Sequence, residues 1–329
     1  MAAKVLIVLL AETRAHELTF DLFKKNLMGP LNADLALCVG DNPRETPNEF
    51  YSQAKYVWKF KEPNDWAIAF DEYAGGANWR CLLEVRDQWL GGVKHPTLQH
   101  PGSAGLLLIF REFLKRKIRE ENILQGYDWI VITRSDFMWP IAHPGIELFS
   151  PNFIYFPDGE RYGGLTDRHV MVPRGLFERF IDLTKPVFEE PEALAMRMKA
   201  FGKSDWNLEA FIKFRLDELG LLMRVRFMPY LMYSIRAQEA ATRWSAGTYS
   251  PEHRFNIKYE SEYFTSRAVQ CVVFENEDWK HMIGAKRFLN WRIYVFSWLR
   301  AAREKHRFSK RLRFLRLARR ALVFARQPI

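Results

Sequence analysis

The segment 127–139, YDWIVITRSDFMW, constrains the fold more than any other stretch of the chain. Trp129, Ile130, Val131, Ile132 and Thr133 form a continuous aromatic and β-branched run rather than an alternating one. Such a run marks a strand buried on both faces, as in a parallel sheet covered by helices. The run ends on Arg134-Ser135-Asp136 and then returns to apolar residues. Ligands of open α/β sheets bind beyond the carboxyl ends of the strands, which is where this polar trio falls. The expectation is that Asp136 faces a phosphate-bearing ligand through a metal ion. A helix N-cap, or a salt bridge to Arg134, is the plainer use of the same carboxylate.

The preceding chain has the same grammar. KVLIVLL (4–10) is a continuous apolar strand, followed by a polar loop and a helical pattern at Leu18, Leu22, Phe23 and Leu27. Gly29-Pro30 is expected to stop that helix, and DLALCVGD (34–41) reads as a second buried strand. Strand, helix and strand with short connections predict an α/β fold with a mostly parallel central sheet flanked by helices. A short strand follows at 55–60. The region 61–101, punctuated by Gly75-Gly76 and Gly91-Gly92, reads as irregular loops around a pocket. Ser103 is placed to cap a helix over 104–120.

Beyond Asp136 short strands are expected at 153–157 and 169–172, and helices at 175–184 and 192–200. A further helix, capped by residues 202–205, is expected to run to about Leu219, and 222–235 reads as strand broken at Pro229. Periodicity weakens over 236–278, where strands are expected at 259–264 and 268–274. The domain reading is a body over 1–235, an extension over 236–279 and a helical tail over 280–329.

Charge separates the tail from the rest. Residues 280–329 hold fifteen Lys or Arg against Glu304 alone, a net of +14, which leaves the other 279 residues at −4 within the total of +10. The segment 288–300 is apolar and aromatic but interrupted by Arg292, and is too short to span a bilayer. Over 307–326, Phe308, Leu312, Leu315 and Leu322 share one helical face while Arg and Lys cover the remainder. This is the pattern of an interfacial amphipathic helix on anionic lipid. An anionic membrane surface is thus the expected partner of 288–326, with nucleic acid disfavoured because the apolar residues are large and one-sided. The three cysteines show no paired spacing and fit reduced thiols. The first apolar run is too short for a signal peptide. The expected location is cytoplasmic, peripheral on the inner face of a membrane.

The segment 127–139 resembles the strand-plus-DxD element of GT-A-fold nucleotide-sugar glycosyltransferases, and most nearly the bacterial and viral enzymes of surface polysaccharide synthesis, lipopolysaccharide and capsule. Three further features fall in that family's order: a polar loop with an Arg after the first strand (Glu12-Thr13-Arg14), a long helix before the motif strand, and a Gly-rich loop ending in an acid (Gly163-Gly164-Leu165-Thr166-Asp167) after it. The resemblance covers about 4–235 and implies a GT-A-like fold transferring sugar from a nucleotide-sugar donor to a glycan or lipid-linked acceptor. It implies donor contacts from Glu12, Arg14, Ser103, Arg134, Ser135 and Asp136. Acceptor contacts are implied from Tyr162, Gly163, Gly164 and Asn207. Arg134 stands at the first acidic position of the DxD motif. Either Asp136 holds Mn²⁺ or Mg²⁺ with the diphosphate, or Arg134 supplies the positive charge and no metal is needed.

An inverting transfer needs a carboxylate to take the proton of the attacking hydroxyl. Asp167 is the candidate base and Glu209 its rival, although an acid early in a helix is also ordinary capping chemistry. Trp66, Trp79, Trp89, Trp139, Tyr162 and Trp206 are candidates to stack on sugar or base rings, and each is equally suited to packing. The histidines show no metal-ligand spacing, and Walker A, GxGxxG and GxSxG motifs are absent. The competing reading is a non-enzymatic, basic-tailed protein that binds nucleic acid or a membrane partner.

Overall fold

The computed structural model describes residues 3–42, 45–85, 88–94, 102–159, 161–240, 247–272 and 283. Seven strands form the central sheet in the order β3-β2-β1-β4-β7-β6-β8. They are β1 (Val5–Ala11), β2 (Ala33–Asp41), β3 (Tyr56–Lys61), β4 (Trp129–Thr133), β6 (Ile154–Asp158), β7 (Val170–Pro173) and β8 (Val225–Pro229). The first four are parallel, with Leu9 opposite both Leu37 and Thr133. β7 runs antiparallel to both β4 and β6, and β8 is parallel to β6.

The continuous apolar runs have the expected cause. Along β1 and β4, Leu6, Val8, Ile130 and Ile132 enter one hydrophobic layer. Val5, Ile7, Leu9 and Val131 enter the other, because successive side chains of a strand point to opposite faces. Helices Ala104–Glu120, Trp66–Ala74, Arg174–Ile181, Pro191–Ala200 and Leu208–Glu218 contribute to the first layer through Phe110, Trp66, Phe177, Leu194 and Phe211. The second layer is covered by helix His16–Phe23 and its continuation. β1 and β4 are neighbours whose onward connections diverge, so a crevice opens beyond their carboxyl ends.

Several expectations need correction. Gly29-Pro30 does not stop the first helix. The chain widens into a π-helical turn over Lys24–Met28 and continues through Gly29–Leu31, so that Pro30 follows directly on the widened turn. The helix ends at Asn32, in the left-handed region at φ 44°. The supposedly irregular stretch after residue 61 holds helix Trp66–Ala74 and a 3₁₀ helix, Asn78–Glu84, and packs into the core. Trp66, Trp79, Trp89, Trp139 and Trp206 are all buried, so these rings are packing residues, each contributing about 1.5–3 kcal/mol through burial. The strands expected after residue 259 are one helix, Glu260–Val272. Its buried Glu262, Ser266 and Val269 repeat at helical spacing, a signal masked by the aromatic and β-branched neighbours.

A second, four-stranded sheet lies beside the first, ordered β10-β11-β9-β5, with β5 (Phe137–Met138), β9 (Tyr233–Arg236), β10 (Thr248–Ser250) and β11 (Phe255–Ile257). Since β9 crosses residue 235, this sheet draws on both sides of the expected domain boundary. The basic amphipathic segment 288–326 lies outside the described residues. Among the described residues no helix is long and apolar enough to cross a membrane.

Candidate functional site

The carboxyl ends of β1 and β4 are tied together before any ligand is considered. The Ser135 hydroxyl lies 2.9 Å from the Glu12 carbonyl and 3.1 Å from that of Arg14, and donates between them. The loop it grips is flanked by two alanines in the left-handed region, Ala11 at φ 82° and Ala15 at φ 58°. Residues with a Cβ adopt that region only at a cost, so the loop is held rather than relaxed. Thr13 adds two contacts to Glu45, through its backbone N–H and its hydroxyl. Glu12 and Arg14 pair with each other at 2.5 Å, partly exposed. Ser135 thus splices the ends of the two strands and is 1% exposed.

Asp136 is placed differently from the expectation. Arg134 grips its carboxylate with both Nε (3.0 Å) and Nη2 (2.8 Å), and Arg236 Nη1 bonds the second oxygen as well. The pairing of β5 with β9 sets Phe137 opposite Ser234, and the Ile235 N–H donates to the Asp136 carbonyl at 3.0 Å, which brings Arg236 alongside. Both Asp136 and Arg236 are 1% exposed. Burial alone would raise the Asp136 pKa, but the charges of Arg134 and Arg236 outweigh it and hold the carboxyl well below its usual range. The salt bridge to Arg134 is thus what this residue makes, reinforced by a second guanidinium that local sequence gave no sign of.

This donor set does not fit a divalent cation. Both oxygens of Asp136 face guanidinium groups, and among the described residues no three His, Cys, Asp or Glu side chains gather where a metal could sit. Two guanidinium charges in contact with the only carboxylate of the trio oppose the approach of Mn²⁺ or Mg²⁺.

The cavity meets this triad only through Arg134, while Asp136 and Arg236 stay outside its lining. About 330 Å³ in volume, it is lined by Arg134, Tyr162, Asp167, Arg168, Glu209, Lys258 and Tyr259, together with Ser103 and Asn207. Gly102, Ser103 and Ala104 bring the amino end of helix Ala104–Glu120 to the same space, adding the partial positive charge of its dipole. Ser103 makes no side-chain capping bond, contrary to expectation.

The Gly-rich loop supplies one wall. Asn207 caps helix Leu208–Glu218 by accepting from Ala210 N–H at 2.8 Å, and its amide donates to the Tyr162 carbonyl at 2.8 Å. Ser204 and Asp205 are therefore not the cap. Leu165 N–H donates to the Glu209 carbonyl at 3.0 Å. Gly164 is glycine because a Cβ there would lie 2.0 Å from that same carbonyl oxygen. Gly163 takes φ +81° in the turn. Neither glycine lines the cavity; both let the loop press against the helix so that Asp167 and Glu209 face one space.

Asp167 is fixed from behind. Arg111, buried on helix Ala104–Glu120, donates from Nη2 to the Asp167 carbonyl at 2.6 Å. Arg168 Nε stands 3.7 Å from the Asp167 carboxylate, and its Nη1 pairs with buried Glu262. The same guanidinium lies 4.8 Å from the Tyr162 ring and 4.9 Å from the Tyr259 ring, so two aromatics hold it in place. Burial, and then the charge of Asp167, push Glu209 up to about 7. Glu209 therefore exchanges its proton near neutral pH, in the same cavity that Asp167 lines.

Arg168, Lys258 and Tyr259 were not anticipated. Arg168 adjoins a candidate base and was within reach of sequence reasoning. Lys258 follows β11, in the region of weak periodicity, and nothing local distinguishes it. No family model and no curated protein matches this chain.

Proposed function

We propose that the chain is a GT-A-like glycosyltransferase that moves a sugar from a nucleotide-sugar donor to a glycan or lipid-linked acceptor in cell-surface polysaccharide synthesis. One observation carries this reading. A cavity beyond the end of the central strand β4 gathers a guanidinium, Arg134, with an acid pair, Asp167 and Glu209, from positions far apart in the sequence. A transfer from a nucleotide diphosphate needs these two functions in one place: positive charge for the departing phosphate and a carboxylate for the incoming hydroxyl.

In a direct displacement the acceptor oxygen attacks the anomeric carbon and its proton passes to the Asp167 carboxylate. The bond from that carbon to the diphosphate oxygen breaks, and its electron pair leaves with the diphosphate. Arg134, kept protonated because Asp136 outweighs the effect of burial, offers that group a fixed positive charge. Glu209 in its protonated form donates a hydrogen bond to a sugar hydroxyl or to Asp167. Tyr162 and Tyr259 line the same cavity and supply aromatic surface for a sugar ring. Placement of donor and acceptor in line supplies the remainder. The sequence of 288–326 supports a peripheral membrane location, where a lipid-linked acceptor would be met.

Calorimetric titration with UDP, GDP and CMP, followed by turnover of the corresponding nucleotide sugars, tests the proposal. Binding of one nucleotide, together with donor turnover that Asp167→Asn abolishes, is the expected result. No binding by any of the three, or full turnover in Asp167→Asn, rejects it.

A further inference from the structure

We propose that Lys258 is a phosphate-binding cation of this cavity, holding the diphosphate together with Arg134. The inference rests on the transferase reading for the identity of the ligand, but its evidence is separate.

Lys258 is brought to the cavity by the second sheet. It follows β11, and its N–H donates to the Ser234 carbonyl at 3.0 Å, which locks the residue to β9. The groups that act on its ammonium are Arg134, Arg236 and Arg168, all cations, and Asp136. Asp136 is already bonded by two guanidiniums. No carboxylate of the described residues lies within 4.0 Å of the ammonium, whose one close contact there is the Tyr259 ring at 4.9 Å. Burial, followed by Arg134 and Arg236, pulls its pKa down to about 7.

A partly buried lysine crowded by arginines and lacking an acid of its own is an unfavourable arrangement in the free protein. An anion in the cavity adds an attraction to Lys258 and to the neighbouring guanidiniums that offsets their mutual repulsion. A phosphate group between Lys258 and Arg134 neutralises both and restores the proton to the lysine. The amino end of helix Ala104–Glu120 adds to the same potential. Lys258 and Arg134 bring cations, and Asp167 and Glu209 acids, to one cavity, with Arg168 acting on both Lys258 and Glu209.

Titration of the full chain with inorganic pyrophosphate at pH 6 and pH 9 tests this. The wild type is expected to bind about tenfold or more tightly at pH 6, where the lysine is charged. Pyrophosphate itself gains negative charge over that range, so a loss at high pH belongs to the protein. Lys258→Met is expected to bind about tenfold or more weakly at pH 6, and Lys258→Arg to match wild type at pH 6 and lose clearly less than wild type at pH 9, the remaining loss following the ionisation of Glu209 in the same cavity. Unfolding midpoints taken alongside separate a lost site from a lost fold. The proposal is overturned if the wild type does not bind pyrophosphate, if a folded Lys258→Met binds it as well as wild type, or if Lys258→Arg keeps the full pH dependence. Lys258-dependent pyrophosphate binding without turnover of any nucleotide sugar would leave the lysine's role intact and remove the transferase reading. Turnover that is indifferent to Lys258→Met would do the reverse.

Discussion

Two groups of charge sit side by side at the carboxyl edge of the sheet, and they are built in opposite ways. The Arg134–Asp136–Arg236 triad is closed: its carboxylate is 1% exposed and engaged on both oxygens. The Asp167–Glu209 pair faces a cavity, and one member is pushed up to about 7 by burial and by the other. A saturated ion cluster organises the backbone, whereas a pair with a displaced pKa is ready to exchange a proton. The residue most conspicuous in the sequence, Asp136, belongs to the first kind.

The largest effect expected from this contrast is on chemistry. Asp167→Asn should lower donor turnover by about a hundred- to ten-thousandfold with little change in unfolding midpoint. A comparable loss with a collapsed midpoint would make Asp167 structural and erase the distinction. Next, Asp136→Ala leaves the buried Arg236 and the partly buried Arg134 without their acid and should cost about 3–5 kcal/mol in denaturant unfolding. If that variant unfolds like wild type and loses only nucleotide binding, Asp136 is a ligand contact after all.

A third kind of buried group sharpens the comparison. His143 is buried, and burial, only partly opposed by its hydrogen bond with the Pro144 carbonyl, lowers its pKa from 6.5 to about 4. The folded state holds it neutral, so its contribution is complete above about pH 6.5 and declines as pH falls towards 4. The loss approaches about 3 kcal/mol at the lower end. Unfolding measured across that window should show the decline, and His143→Phe should flatten part of it. The smallest effect is a shape. At saturating donor, where bound phosphate keeps Lys258 charged, turnover should show an inflection near pH 7 from Glu209, and Glu209→Gln should remove it while changing the plateau several-fold. An unchanged profile would assign the titration to another group.

Much of this was legible in order along the chain. The runs at 4–10, 34–41 and 127–133 identified strands buried on both faces, because only a covered sheet tolerates continuous apolar sequence. Asp167 and Glu209 were both identified as acids of interest, and the loop packing made possible by Gly164 is why they meet. The region from Arg236 to Val272 was not legible. Its strands are three or four residues long and its helix is rich in aromatic and β-branched residues, so neither period stands out. That region carries Arg236, Lys258, Tyr259 and Glu262, each of which touches the site or its supports.

Sequence alone determined the class of fold and the edge of the sheet at which charge would gather, since both follow from local hydrophobic pattern. Which of those charges is sealed and which is open was decided only by tertiary structure. Asp136 is closed because β9, a hundred residues later, delivers Arg236 against it. The acid pair is open because a glycine lets one loop rest on a helix backbone. Such contacts join residues distant in the chain, and no local period or motif encodes them.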